Sequence, residues 1–150
     1  APGGQVVATV VDVQNDAETL SMINASPVEL AGRKVALPLF RSRHLVAAYT
    51  TGIQVMNTTA AAANVHVDFS RSEGVETFPI PGCRGQCDAV LGPFEGYTWW
   101  PPAVAAIPNG TYGAAVITSD APIVVLVNDY PLNGNSDMAT YAGIPVLTEP

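Results

Sequence analysis

Charge is what this chain has least of. Only 13% of its 150 residues are Asp, Glu, Lys or Arg, about half the share usual in soluble domains. There is one lysine, Lys34. Six basic residues against thirteen acidic ones leave a net charge of −7. Without a Lys/Arg surplus a nucleic-acid partner is excluded, because phosphate binding needs one. Long apolar runs are also missing. None approaches the ~20 residues of a membrane-spanning helix, so membrane insertion is not expected. Histidine and cysteine are scarce, with two of each. That leaves little material for a metal or redox centre, and no cofactor is expected.

What is present is small and β-branched. The chain has 21 Ala, 19 Val and 12 Thr. Val and Thr suit a pleated, half-buried surface and lose rotamer freedom in helices. Thirteen Pro and thirteen Gly are spread along the chain, which leaves little room for helices. At 48% hydrophobic the chain is not a disordered polymer. Its length is that of one domain. The pattern predicts an all-β, antiparallel sandwich: a single domain with residues 1–13 as an extra N-terminal strand and 14–150 as the body.

Strands are expected over 5–13, 20–24, 33–40, 45–56, 63–69, 75–80, 97–100, 112–118, 122–128 and 138–144. Pro38 places its strand at an edge or bulge. Gly52 suggests a bend or bulge within another. Val65, Val67 and Phe69 alternate with Asn64, His66 and Asp68, the mark of a half-buried strand. Ser119-Asp120-Ala121 reads as the turn of a hairpin between 112–118 and 122–128.

Cys83 and Cys87 have three residues between them in Pro81-Gly82-Cys83-Arg84-Gly85-Gln86-Cys87. The glycines allow the loop to close, and a disulfide is expected. A metal reading would need two further ligands. A redox reading would need Cys-x-x-Cys at a helix start. A disulfide implies an oxidising compartment. The small residue Ala1 is what cleavage of a secretory signal leaves. An extracellular or cell-surface location, with the signal peptide already removed, is therefore expected. Three N-x-S/T triplets, at Asn24, Asn57 and Asn109, are candidate glycan acceptors.

No catalytic constellation emerges, and an enzyme is not expected. There is no G-x-S-x-G elbow. His66 and Asp68 share a strand face, which suits a surface pair as well as a catalytic one. Glu73, Glu76 and Glu95 lie near turns, as solvated acids do. Asn133, Asn135 and Asp137 have the alternate spacing of a weak calcium loop, without its sixth-position glycine or twelfth-position glutamate.

Contacts are better represented than chemistry. Tyr97, Trp99 and Trp100 precede Pro101-Pro102. On a strand the two tryptophans point to opposite faces, one into the core and the other, Trp100, toward a contact. Arg33, Lys34, Arg41 and Arg43, with His44, crowd into a short stretch and suggest a basic edge. In the first strand Val6, Ala8 and Val10 form one face and Val7, Thr9, Val11 and Val13 the other. Both are apolar, so the strand wants cover on both sides. It could complete its own sheet or add to that of a neighbour.

Several segments carry a family resemblance. They are Ala36-Leu37-Pro38-Leu39, the run Thr51-Gly52-Ile53-Gln54-Val55-Met56-Asn57, Ala63-Asn64-Val65-His66-Val67, the stretch 113–128 (GAAVITSDAPIVVLVN), and Thr140-Tyr141-Ala142-Gly143. Over about residues 35–144 the chain resembles Ig-like β-sandwich domains of secreted and cell-surface bacterial proteins. The resemblance implies a structural or adhesive module with no catalytic residues to transfer. The single copy, the added first strand and the cysteine loop favour a small self-assembling subunit. The expected function is thus an extracellular structural protein that builds a filament or surface array from copies of itself. Contacts would come from Val6, Val7, Val10, Val11, Val13, Arg41, Arg43 and Trp100. The alternative is an adhesion or carbohydrate-binding module with glycans as partners.

Overall fold

The computed structural model describes residues 30–83, 85–133 and 138–146 in full, and the backbone alone over 9–14 and 19–24. Val6, Val7, Asn135 and Asp137 lie outside the described residues. The elements are β1 (Thr9–Gln14), β2 (Thr19–Asn24), β3 (Gly32–Ser42), β4 (Thr50–Asn57), β5 (Ala63–Glu73), β6 (Glu76–Pro79), β7 (Asp88–Leu91), β8 (Gly96–Trp99), β9 (Thr111–Tyr130), β10 (Ala139–Ala142) and β11 (Ile144–Pro145). A 3-10 turn spans Pro101–Ala103. Every pairing is antiparallel. The chain is all-β, as its Val/Thr-rich composition requires. Among the described residues no helix is long and apolar enough to cross a membrane.

The expected hairpin at Ser119-Asp120-Ala121 is not there. β9 runs through it as one strand of twenty residues. Its first half lies between β3 (Val35↔Ile117) and β5 (Val67↔Ile117). Its second half lies between β4 (Ile53↔Val127) and β10 (Tyr141↔Val127). The strand thus passes from one layer to the other, and the nine-stranded sheet curls over on it into a sandwich-like fold. The turn-prone residues bend the chain without reversing it. Ser119 Oγ accepts the Ala121 N–H at 3.2 Å. The Asp120 carboxylate accepts the backbone N–H of Asn64 at 2.8 Å and its Nδ2 at 2.6 Å. The Pro122 carbonyl accepts Thr58 N–H and Oγ1–H. Held on both sides, the bend shows on β3 as a register skip between Gly32↔Ile123 and Lys34↔Thr118.

Other expectations divide. Pro38 sits at a bulge, where the β3 register skips between Leu37 and Phe40. No bulge forms at Gly52, because the β4 ladder runs through Gly52↔Asn128 without a shift. The strand expected from Leu45 begins only at Thr50. Leu45 and Ala48 take left-handed backbone (φ 62° and 51°) in a turn closed by a His44–Tyr49 bridge. β7 was not legible in the sequence.

Inward-pointing positions alternate along each strand. Val35, Leu37 and Phe40 meet Ile53, Val55, Val65, Val67, Phe69, Ile117, Ile123, Val125 and Val127 in the core. The Phe40 and Phe69 rings pack edge to face at 4.9 Å.

β1 does not join this sheet. It pairs with β2 in a two-stranded ladder of its own, Val11 opposite Met22 and Val13 opposite Leu20. Strand β2 runs close to β10. What stands outside the main sheet is a hairpin, not a lone strand.

Candidate functional site

The densest cluster of titratable groups lies on the outer face of β5. His66 Nδ1 meets Asp88 Oδ1 at 2.7 Å, and Nε2 meets Asp68 Oδ1 at 3.2 Å. Register explains the grouping, since His66 is directly opposite Asp88 and two residues from Asp68. The imidazole pKa is raised, first by the bond from Asp88, then by the bond and charge of Asp68; partial burial opposes the rise. With both ring nitrogens facing carboxylates, neither is left to take a hydroxyl proton, so no Ser-His-Asp relay is assembled. The cluster ties the edge strand β7 to β5. Beside it is an open groove of about 420 Å³, lined by Asn64, His66, Asp88, Thr118, Ser119 and Asp120 among others.

The other acids are engaged locally. Glu73 pairs with Arg71 at 3.2 Å. The Glu95 carboxylate accepts the Gly92 N–H at 2.6 Å. Glu76 is exposed opposite Glu73. Among the described residues, no group of three or more His, Cys, Asp or Glu could hold a metal. Asn133, the described part of the calcium-like loop, donates its Nδ2–H to the Val46 carbonyl.

Cys83 and Cys87 form the expected disulfide, with Cα atoms 5.3 Å apart. The loop does more than close on itself. The Cys87 carbonyl accepts the Val67 N–H. The Gln86 carbonyl accepts Trp99 Nε1–H at 3.0 Å. The Gln86 side chain donates to the Ala103 carbonyl and accepts the Ala105 N–H. Stapling therefore positions the indole of Trp99 and the proline-rich turn after it.

The tryptophans divide as strand geometry requires. Trp99 is in the core. Trp100 is half-buried against Tyr130, ring centroids 5.6 Å apart. Tyr130, thirty residues away in sequence, carried no signal of this contact.

The basic edge is dispersed. Arg33 and Lys34 open β3 while Arg41 and Arg43 end it or follow it. Eight residues of extended chain separate the pairs by about 26 Å. Arg41 is also engaged inside the molecule. It meets Asp129 at 2.9 Å and lies over the Tyr49 ring at 4.9 Å. Arg43 N–H donates to Thr50 Oγ1.

The acceptor triplets differ as well. Asn57 is buried. Its Nδ2 donates to the Ala61 and Gly92 carbonyls at 2.6 and 2.9 Å, and its Oδ1 accepts from Thr59 N–H and Oγ1–H. In the folded chain that nitrogen has no hydrogen left to offer a glycan, which corrects the expectation there. Asn109 is exposed at a turn. Asn24 ends β2.

The fold and these surfaces define an antiparallel, all-β sandwich-like domain with one stapled loop. No family model matches the chain, and no curated protein does. Among solved structures it is similar to the Thermotoga maritima protein 1070, at 14% identity and a TM-score of 0.59, over 77% of this chain and 95% of that one. The Anabaena sensory rhodopsin transducer aligns at 20% identity with a TM-score of 0.43, over 63% of this chain and 92% of that one. The first likeness is one of fold.

Proposed function

We propose that this chain is an extracellular structural subunit that assembles with copies of itself through its N-terminal segment. The observation that carries the reading is the place of β1. Among the described residues it pairs with β2 alone, apart from the nine-stranded sheet, whose short outer strands β6, β7 and β8 each pair on one side. A two-stranded ladder is marginally stable alone. A segment apolar on alternate and intervening positions is drawn to cover, and an open strand edge offers it hydrogen bonds. The stapled loop supports an oxidising location.

Arg41, paired with Asp129 and partly exposed, keeps one side of its guanidinium for this contact. Val10, Val11 and Val13 carry it from β1, and Arg43 and Trp100 flank one end of the sandwich.

Electron microscopy and size-exclusion chromatography of the intact chain test the reading. Fibres or large arrays are expected. Removing residues 1–13 abolishes them while leaving the β circular dichroism signal, since β1 makes no ladder with the main sheet. Dispersed monomers from the intact chain at every concentration would sink the proposal.

A further inference from the structure

The two outer faces of the sandwich differ in charge. On the layer built around β5, a cross-strand row runs Asp88, His66, Thr118, Lys34, with Asp68 two residues on. On the layer of β8, β4, the second half of β9 and β10, the outward rows are Gly96–Met56–Val124, Thr98–Gln54–Leu126–Ala142 and Gly52–Asn128–Thr140. Among the described residues, none on these rows is charged. Glu95, the residue before β8, has its carboxylate turned back onto the Gly92 N–H.

This face is open on its β8 and β4 side, while Val124, Leu126, Asn128, Thr140 and Ala142 are half-buried and Gly52 is buried. Met56 is 43% exposed, and Gln54 and Thr98 are exposed. Beside Met56 lies a hollow of about 270 Å³ lined by Gln54, Met56, Gly96, Thr98, Val124 and Leu126. Gly96 deepens it without any need inside the chain. Its φ is not left-handed, and a Cβ there would make ordinary contact, 3.4 Å from the Val55 carbonyl. A knob and a hollow thus stand side by side on one uncharged surface.

We infer that this face binds the same face of a second copy, related by a two-fold axis, with each Met56 seated in the other copy's hollow. Charge selects the occupant. A chain of net charge −7 repels its own copies, and only a surface free of carboxylates lets two of them approach. An isologous contact also needs a self-complementary patch, which a knob beside a hollow supplies. Four strands and three rows, each row about 7 Å from the next, cover at most roughly 20 by 20 Å. With side-chain relief, two such faces bury on the order of 1,000 Å², the lower bound for specific association. The dimer does not depend on the N-terminal segment, and it differs from strand addition in closing on itself.

Equilibrium sedimentation of the intact chain tests this. A monomer–dimer equilibrium is expected that tightens as salt is added, because screening relieves the −7 repulsion and no ion pair in the contact is lost. Met56→Glu and Thr98→Glu, both at exposed positions, each weaken the dimer at least tenfold. Val90→Glu on the charged layer, at a residue 72% exposed, leaves it unchanged. A dimer that loosens with salt, or one that both face variants leave intact, overturns the inference. So do polymers insensitive to Met56→Glu, which would leave strand addition standing. A monomer at all concentrations in which Met56 resists peroxide would place the chain's own hairpin over the face, and also overturns it. Conversely, a salt-tightened dimer that persists without higher polymers upholds this contact and counts against strand addition.

Discussion

Arg41 and Asp129 meet at 2.9 Å where β3 and β9 end, with the carboxylate almost wholly enclosed. Thr51 completes the arrangement, accepting the Arg41 N–H at 2.8 Å and donating its hydroxyl to Asp129 Oδ1 at 3.0 Å. Burial pushes the Asp129 pKa up, and the Arg41 charge and the Thr51 bond pull against it. Arg41→Ala would leave a buried carboxylate without its cation and is expected to cost about 2–4 kcal/mol. An Asp whose folded pKa is raised binds its proton more readily in the native state. Stability from this group is thus highest at acid pH and falls as pH rises past the ordinary value of 3.8. The deficit of the variant should be small near about pH 4 and full at about pH 7. Urea titrations at the two pH values check this, and an equal deficit at both would refute it.

His66 supplies the opposite pH dependence. Its folded pKa is raised. Its contribution is fully present below the unfolded value of 6.5 and disappears as pH rises through the folded one. The thermal-stability advantage of the native chain over His66→Gln should therefore exist near about pH 5.5 and vanish near about pH 9. Asp88→Asn should lower the imidazole pKa more than Asp68→Asn, because the Asp88 bond is the larger cause. Histidine chemical shifts followed through a titration decide the order.

The disulfide closes a short loop, and the chain-entropy model assigns it about 2 kcal/mol. The two cysteines are not equivalent. Cys87 is 1% exposed while Cys83 is only partly buried. Cys87→Ser places a hydroxyl in the core and should destabilise more than Cys83→Ser. Because Gln86 holds Trp99 Nε1–H, reduction should shift the Trp fluorescence. Unchanged emission would show that the indole does not depend on the staple.

Gly113 is set by a neighbour rather than by its own backbone. A Cβ at this position of β9 would collide with the Ser70 carbonyl on β5. Gly113→Ala is expected to destabilise by about 1–3 kcal/mol through forced separation of the strands. Guanidinium denaturation measures it, and a neutral result would mean the ladder opens freely there.

Asn57 is an internal clamp. Asn57→Ala would leave the Thr59 N–H without its acceptor and take one of two donors from the Ala61 and Gly92 carbonyls, which keep the Thr59 hydroxyl and the Glu95 N–H, at a cost of about 1–3 kcal/mol. If the chain is secreted from a glycosylating host, glycopeptide mass spectrometry should find Asn109 occupied well above Asn57. A glycan on Asn57 in folded protein would contradict the burial of its amide.

The sequence by itself determined what local chemistry controls. The abundance of Val and Thr, with Pro and Gly at short intervals, made the chain all-β. Alternation assigned Val65, Val67 and Phe69 to the core and Asn64, His66 and Asp68 to solvent. Pro38 marked a bulge, and the Cys83–Cys87 spacing marked a staple. Tertiary structure decided the rest, because antiparallel pairing joins residues far apart in sequence. Ser119-Asp120-Ala121 carries the same turn chemistry whether the chain reverses or bends. Only Asn64 and Thr58, reaching across from other segments, made it a bend and β9 a single strand. The basic residues looked like one pole until an extended strand spread them along its length. Arg41 found Asp129, and His66 found Asp88, through ladders that no short window of sequence reveals. The scarcity of charge was visible at once. That, among the described residues, the outward rows of one layer carry no charged residue follows only from the register of β8, β4, β9 and β10.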